Sequence, residues 1–250
     1  MLTDLRIEQL HKEIERVQLL GSPFLESIAS LRVLKQIYLR KDLPLFIIVY
    51  GMSGVGKDMV IQHAVNLEML QKVRSCTTRK PRKDEDPNSY IWMNDAEDKK
   101  LPTESIEAYE ERLTEKYKLI EFSLHDGNFY GINEQSIEEA ITNKRSTLIK
   151  TDINGAFSLK KLLVGRANTV IICIHPADPH QFDNVIENQR VGENITAKIT
   201  TALQTTMQTE FIANYIILNS FKEKGLLISQ MLLQLIIAMS HNAIRNVTHQ

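Results

Sequence analysis

Leu45-Phe46-Ile47-Ile48-Val49-Tyr50-Gly51-Met52-Ser53-Gly54-Val55-Gly56-Lys57-Asp58 decides the fold of this chain. A continuous apolar run after Pro44 that stops at a glycine reads as a central strand of a parallel sheet, buried on both faces. Gly51 to Lys57 then satisfy GxxxxGK between that strand and a helix expected from Lys57 to about Leu70, the context in which this motif is specific. The glycines let the loop turn tightly and leave backbone N–H groups free to point at phosphate oxygens, and the helix N-terminus adds partial positive charge. Gly51, Ser53, Gly54, Val55, Gly56, Lys57 and Asp58 are therefore the expected cradle for a nucleotide phosphate chain, with Lys57 reaching its outer phosphates.

Position 58 departs from the motif, because Asp58 replaces the Ser or Thr that usually offers a hydroxyl to Mg²⁺. A carboxylate is also a hard oxygen ligand for Mg²⁺, so Asp58 is the expected metal residue. Without a metal, a carboxylate ~5 Å from a phosphate charge costs about 3 kcal/mol at an effective dielectric near 20. A steep Mg²⁺ dependence of nucleotide binding is the consequence expected.

Outward from the loop, strand-like runs recur at Val73 to Cys76, Thr147 to Lys150, Thr169 to Ile174 and Tyr215 to Leu218, separated by helical patterns. Such alternation predicts an α/β fold with right-handed crossovers and a parallel sheet flanked by helices. Between Thr77 and Tyr130 charged and turn residues dominate, as an inserted subdomain would show. Leu226 to Met239 reads as a buried core helix, since Ser229, Gln230 and Gln234 interrupt it short of a membrane span. Before the main domain, residues 1–44 carry two helical patterns, Leu5 to Val17 and Leu25 to Ile37, broken at Gly21-Ser22-Pro23. They are expected either to pack on the core or to join copies of the chain into a homo-oligomer.

The 250 residues, 43% hydrophobic and 24% charged, suffice for one sizeable core. Thirty basic and 31 acidic side chains leave a net charge of -1, so no field draws nucleic acid to the chain. Cys76 and Cys173 are the only cysteines and are expected to be reduced and buried. The N-terminal stretch lacks the uninterrupted apolar segment of a secretory signal, which leads to the expectation of a cytoplasmic protein without membrane association.

The segment Ser75-Cys76-Thr77-Thr78-Arg79-Lys80-Pro81-Arg82-Lys83-Asp84-Glu85, then Tyr90, then Glu121-Phe122 and Gly127-Asn128-Phe129-Tyr130-Gly131, gives the chain its resemblance to guanylate kinases. That family joins a phosphate loop to a TTRxPRxxE segment, a tyrosine, a glutamate before GxxYG and an aspartate after the next strand. All occur here in order, between about Phe46 and Ser220. The resemblance implies an ATP- and Mg²⁺-dependent kinase acting on GMP or dGMP, with an acceptor-binding subdomain at about 75–130 and a lid at about 178–198 within a main domain spanning 45–250. It implies Ser75, Arg79, Arg82, Glu85, Tyr90, Glu121, Tyr130 and Asp152 as acceptor-binding residues, Lys57, Arg79 and Arg190 as catalytic ones, and Arg190 and Lys198 as lid cations. The chemistry agrees: a monophosphate carries about two negative charges, which guanidinium groups match, while a fixed carboxylate complements the donors of guanine.

Several positions depart from the family pattern. Lys150 stands where an acidic residue is usual, weakening the metal environment while adding a charge that offsets Asp58 in part. Ile132 replaces a hydroxyl residue that helps to hold the base, and Asn133 is the expected substitute for it. The lid segment is short in arginines. These departures keep two alternatives open: a kinase of the same fold with another nucleotide or a sugar phosphate as acceptor, and a binding module with little turnover.

Overall fold

The computed structural model describes residues 30–33, 37, 39–62, 70–81, 85–125, 127–177, 212–220 and 223–245. Two sheets organise them. The larger holds β1 (Ser30–Val33), β2 (Leu45–Tyr50), β3 (Gln71–Val73), β8 (Thr147–Thr151), β9 (Asn168–Pro176) and β10 (Tyr215–Asn219) in the order β1-β10-β9-β2-β8-β3. Five of these strands run parallel, and β1 pairs antiparallel with β10. The smaller, mixed sheet has the order β5-β4-β7-β6, from β4 (Ser75–Thr77), β5 (Ile91–Trp92), β6 (Leu119–His125) and β7 (Asn128–Asn133).

β2 is buried along its whole length, which explains its unbroken apolar sequence. Ile47 and Val49 face a cluster with Val60 and Ile61 of α1 (Lys57–Gln62) and with Leu233, Ile236 and Ile237 of the C-terminal helix. Phe46, Ile48 and Tyr50 face the opposite cluster, with Ile137 and Ala140 of α3 (Glu134–Thr142) and Ala156, Leu159 and Leu163 of α4 (Ile153–Leu163). The C-terminal helix, α5 (Glu223–Arg245), is the expected core helix, longer than its apolar stretch suggested. By length and composition Gly225–Arg245 could cross a membrane, but Leu233 and Ile236 are fully buried in the core while Leu227 and Met231 on the same helix are exposed.

Two expectations are corrected here. Ser30–Val33, expected within a helix, is a strand. It pairs along the whole of its length with β10, whose outer backbone groups would otherwise form an open sheet edge, and that pairing outweighs a weak local period. Residues 1–29 lie outside the described residues, as do 63–69, where the helix was expected to continue. Val73 to Cys76, expected as one strand, divides at Arg74 between the two sheets. That single-residue passage carries the chain from the main sheet into the subdomain built on the smaller sheet.

The subdomain has its own core of Cys76, Met93, Tyr109, Leu113, Leu119 and Phe129 beneath α2 (Ile106–Tyr117). Buried Asp98 ties it together, accepting from Lys116 Nζ and Tyr117 Oη at 2.7 Å each. The charged stretch between Asp95 and Lys118 is thus a folded layer. Both cysteines are buried and reduced, and burial pushes the Cys76 thiol up to about 12.

Candidate active site

The phosphate loop connects β2 to α1 at the carboxyl end of the main sheet. A side chain at Gly51 would stand 2.3 Å from the Ile174 carbonyl oxygen, so only glycine lets the loop pass this close to β9. Gly56 has φ +85°, in the region glycine favours, and a Cβ there would sit 2.8 Å from Asn219 Nδ2. Asn219 holds the loop from outside: its Nδ2 donates to the Val55 carbonyl at 3.0 Å and its Oδ1 accepts from Ser229 Oγ at 2.8 Å. Asn219→Ala leaves the Val55 carbonyl without this donor and is expected to cost about 2 kcal/mol, read as a lower urea midpoint with an unchanged m-value.

Lys57 opens α1 and folds back over the loop, its Nζ donating to the Gly51 and Met52 carbonyls at 2.6 and 2.8 Å. The ammonium therefore stands at the mouth of the backbone cradle. Next to it, Asp58 Oδ1 accepts from Lys150 Nζ at 2.6 Å. The parallel register sets Lys150 beside Val49 on the neighbouring strand, close to where the loop leaves β2. Desolvation works to raise the Asp58 carboxyl, but Lys150, Lys57 and Lys72 outweigh it and hold the carboxyl below its ordinary value.

Opposite stands the wall expected to hold the acceptor. Lys150 Nζ also donates to Tyr90 Oη at 2.8 Å and lies 4.5 Å from the centre of its ring. Tyr90 packs against Trp92 and Tyr130, with ring centroids 5.3 and 6.2 Å away. Arg79 lies over Tyr90 and Trp92 at 5.5 and 5.4 Å and donates from Nη2 to both carboxylate oxygens of Glu85, at 2.6 and 2.8 Å. Glu85 accordingly orients Arg79. Deeper in, Glu121 reaches the N-terminus of α4, where Asp152 Oδ1 accepts from the Gly155 N–H and Oδ2 from Ser123 Oγ. Desolvation and the neighbouring Asp152 carboxyl push Glu121 up to about 9, and its buried Oε1 has no hydrogen-bond partner among the described residues. Ser75 Oγ donates to the Lys150 carbonyl at 3.0 Å, linking β4 to β8 at the same end of the cleft.

A family model described as guanylate kinase matches residues 44–233, spanning the phosphate loop, the whole of the smaller sheet and the first part of α5. The chain belongs to the guanylate kinase family. Among curated relatives, guanylate kinase 2, chloroplastic/mitochondrial, of Oryza sativa subsp. japonica is 26% identical over 182 residues, 71% of this chain and 58% of that protein. The guanylate kinase of Halalkalibacterium halodurans is 30% identical over 128 residues, 49% of this chain and 55% of that protein. The chain thus spans little more than half the length of these two relatives. It covers 81% of the Polaromonas sp. guanylate kinase, at 25% identity over 182 residues. The crystal structure of guanylate kinase from Anaplasma phagocytophilum superposes with a TM-score of 0.52 over 77% of this chain and 85% of that one, at 21% identity, a likeness of fold.

Within the guanylate kinase frame, the structure brings together Lys57, Asp58, Tyr90 and Lys150, then Arg79, Glu85 and Tyr130, then Glu121, Asp152 and Ser75. Arg82, Arg190 and Lys198 lie outside the described residues. Asn133 is not a base-binding substitute: its Oδ1 caps α3 through the Ser136 N–H at 2.9 Å, and its Nδ2 donates to the Tyr117 carbonyl at 2.6 Å. Ile132 is fully buried in the core with Ile137 and Tyr50. Trp92, Asn219 and Ser123 went unread in the sequence. Trp92 sits two residues past Tyr90, so strand alternation was the available signal for it; the other two are distant in sequence from their partners and carry none.

The described residues do not form a protein seat for Mg²⁺. One oxygen of Asp58, the expected ligand, carries the Lys150 ammonium at 2.6 Å, and no group of three His, Cys, Asp or Glu side chains suited to a metal occurs among the described residues. A cation so near opposes a divalent ion at that carboxylate. In this structure Asp58, the expected metal ligand, is the ion-pair partner of Lys150.

Proposed function

We propose that this chain transfers the γ-phosphate of ATP to a nucleoside monophosphate, with GMP or dGMP as the acceptor. Membership of the guanylate kinase family supports the reaction class. The observation that carries the guanine reading is Glu121, whose buried Oε1 lacks a hydrogen-bond partner among the described residues, beside the Asp152 carboxyl. A buried polar atom of this kind calls for a partner, and the ring N–H and exocyclic amine of guanine supply two donors to a carboxylate. Arg79, held in place by Glu85 and stacked on Tyr90, would take the acceptor phosphate, and Lys57 the phosphates of ATP. Catalysis then rests on positioning and charge neutralisation rather than on a covalent intermediate. Mg²⁺ enters this reading only as part of the donor substrate.

A coupled ADP-release assay across GMP, dGMP, AMP, UMP, CMP and ribose phosphates tests the proposal. GMP and dGMP are expected to give the highest rates, and Glu121→Gln to weaken GMP more than AMP by about 1–3 kcal/mol. Equal rates with GMP and AMP would make another acceptor the better account. A second reading, a nucleotide-binding module with little turnover, is favoured by the Asp58–Lys150 pair, which occupies the expected metal ligand. It prevails if nucleotides bind yet no acceptor gives turnover above a Lys57→Ala control.

A further inference from the structure

Resting on the reading of Gly51 to Lys57 as a nucleotide-phosphate cradle, we infer that Lys150 takes the place of a protein-held metal, so that this chain binds nucleotide phosphates without Mg²⁺. Three features support the assignment. First, Lys150 is a buried ammonium that reaches the cleft between the two halves of the site, bonded to Asp58 beside the cradle and to Tyr90 on the acceptor wall. Its place follows from the sheet, since the β2–β8 register sets it next to the strand that feeds the loop.

Second, the Asp58 carboxylate lies among cations: Lys150 is bonded to it, and Lys57 and Lys72 also act on it. Such a corner repels a free divalent cation and attracts a polyphosphate. Third, Asp58 is 69% exposed on its side chain, whereas Lys150 is 9% exposed. The carboxylate can therefore turn out into water when phosphates arrive, while the ammonium stays at the site. The Asp58–Lys150 bond is the resting state of a lysine whose charge passes from carboxylate to phosphate. It also lessens the repulsion from which a steep Mg²⁺ dependence was expected, because the exposed carboxylate turns into water, which screens it from the phosphates.

Isothermal titration of the full chain with ATP and ADP, in EDTA and in Mg²⁺, tests the inference. Wild-type affinities are expected to differ by no more than about threefold between the two conditions. Lys150→Gln is expected to lose about tenfold or more in EDTA and to recover in Mg²⁺, because Asp58 is then available to a metal. Lys150→Arg, which retains the charge, is expected to stay independent of metal. A wild-type affinity that rises more than about tenfold with Mg²⁺ overturns the inference, as does Lys150→Gln binding like wild type in EDTA. A thermal scan checks each variant for folding, and if Lys150→Gln does not fold, the wild-type comparison and Lys150→Arg decide. Steep Mg²⁺ dependence with binding still lost in Lys57→Ala overturns the role of Lys150 alone. Absence of nucleotide binding to wild type in both conditions overturns the cradle reading along with it.

Discussion

Lys57→Ala is expected to weaken ATP and ADP binding about a hundredfold while leaving the chain folded. The ammonium donates to the Gly51 and Met52 carbonyls of the loop, and the residue is half-buried rather than packed in the core. Two charge-assisted hydrogen bonds to phosphate, at roughly 1.5 kcal/mol each, account for a loss of about 3 kcal/mol, or roughly a hundredfold. The lysine carries none of the buried apolar contacts of the core, so the melting temperature is expected to shift by only a few degrees, about 3 °C or less. Calorimetric titration of the folded variant checks this. Wild-type affinity for both nucleotides would remove the phosphate-loop assignment.

GMP affinity is expected to rise with pH, by up to tenfold per unit, between pH 7 and 8.5. Burial, and then the Asp152 carboxyl, push Glu121 from an ordinary value of 4.5 up to about 9, so the ligand-free site holds a proton at neutral pH. Guanine offers donors to this group and thus selects the ionised form, releasing the proton on binding; the loss of one proton sets the tenfold limit. The second ionisation of the acceptor phosphate, with a pKa of about 6, is nearly complete at the start of this window. Titrations in buffers of different ionisation heat count the released proton directly. Glu121→Gln is expected to flatten the profile, and a flat wild-type profile would mean that the carboxyl is already ionised.

The same proton has a sign for stability. Between pH 4.5 and about 9 the folded chain holds a proton on Glu121 that the unfolded chain has lost. Stability from this group is therefore complete below pH 4.5 and declines as pH rises towards 9, by at most about 1.4 kcal/mol per unit. Urea denaturation at pH 6 and 8.5 should show the decline in wild type and its absence in Glu121→Gln.

Where local chemistry demands a residue type, the sequence was readable. The apolar run of β2 and the glycines that follow it form the buried strand and the tight loop that their residue types demand. Parallel strands buried on both faces need continuous apolar runs, and a backbone that approaches another backbone needs glycine, so these features are written in short stretches. The split at Arg74 was less visible, because two short strands of similar composition look like one until their partners are known. Asn133 likewise offered an amide that local reasoning assigned to a ligand, whereas α3 uses it as a cap.

By itself, the sequence determined the phosphate loop, the α/β alternation and the identity of the charged groups on the two sides of the cleft. The tertiary structure alone decided which of those charges meet. Ser30–Val33 became a strand because β10 had an edge to pair, Asp58 became the partner of Lys150 across 92 positions of chain, and Glu121 came to lie against Asp152. The reason is physical: propensity and motif act over a few residues, while a charge's partner and its ionisation depend on distance and burial, which only the packed sheets set.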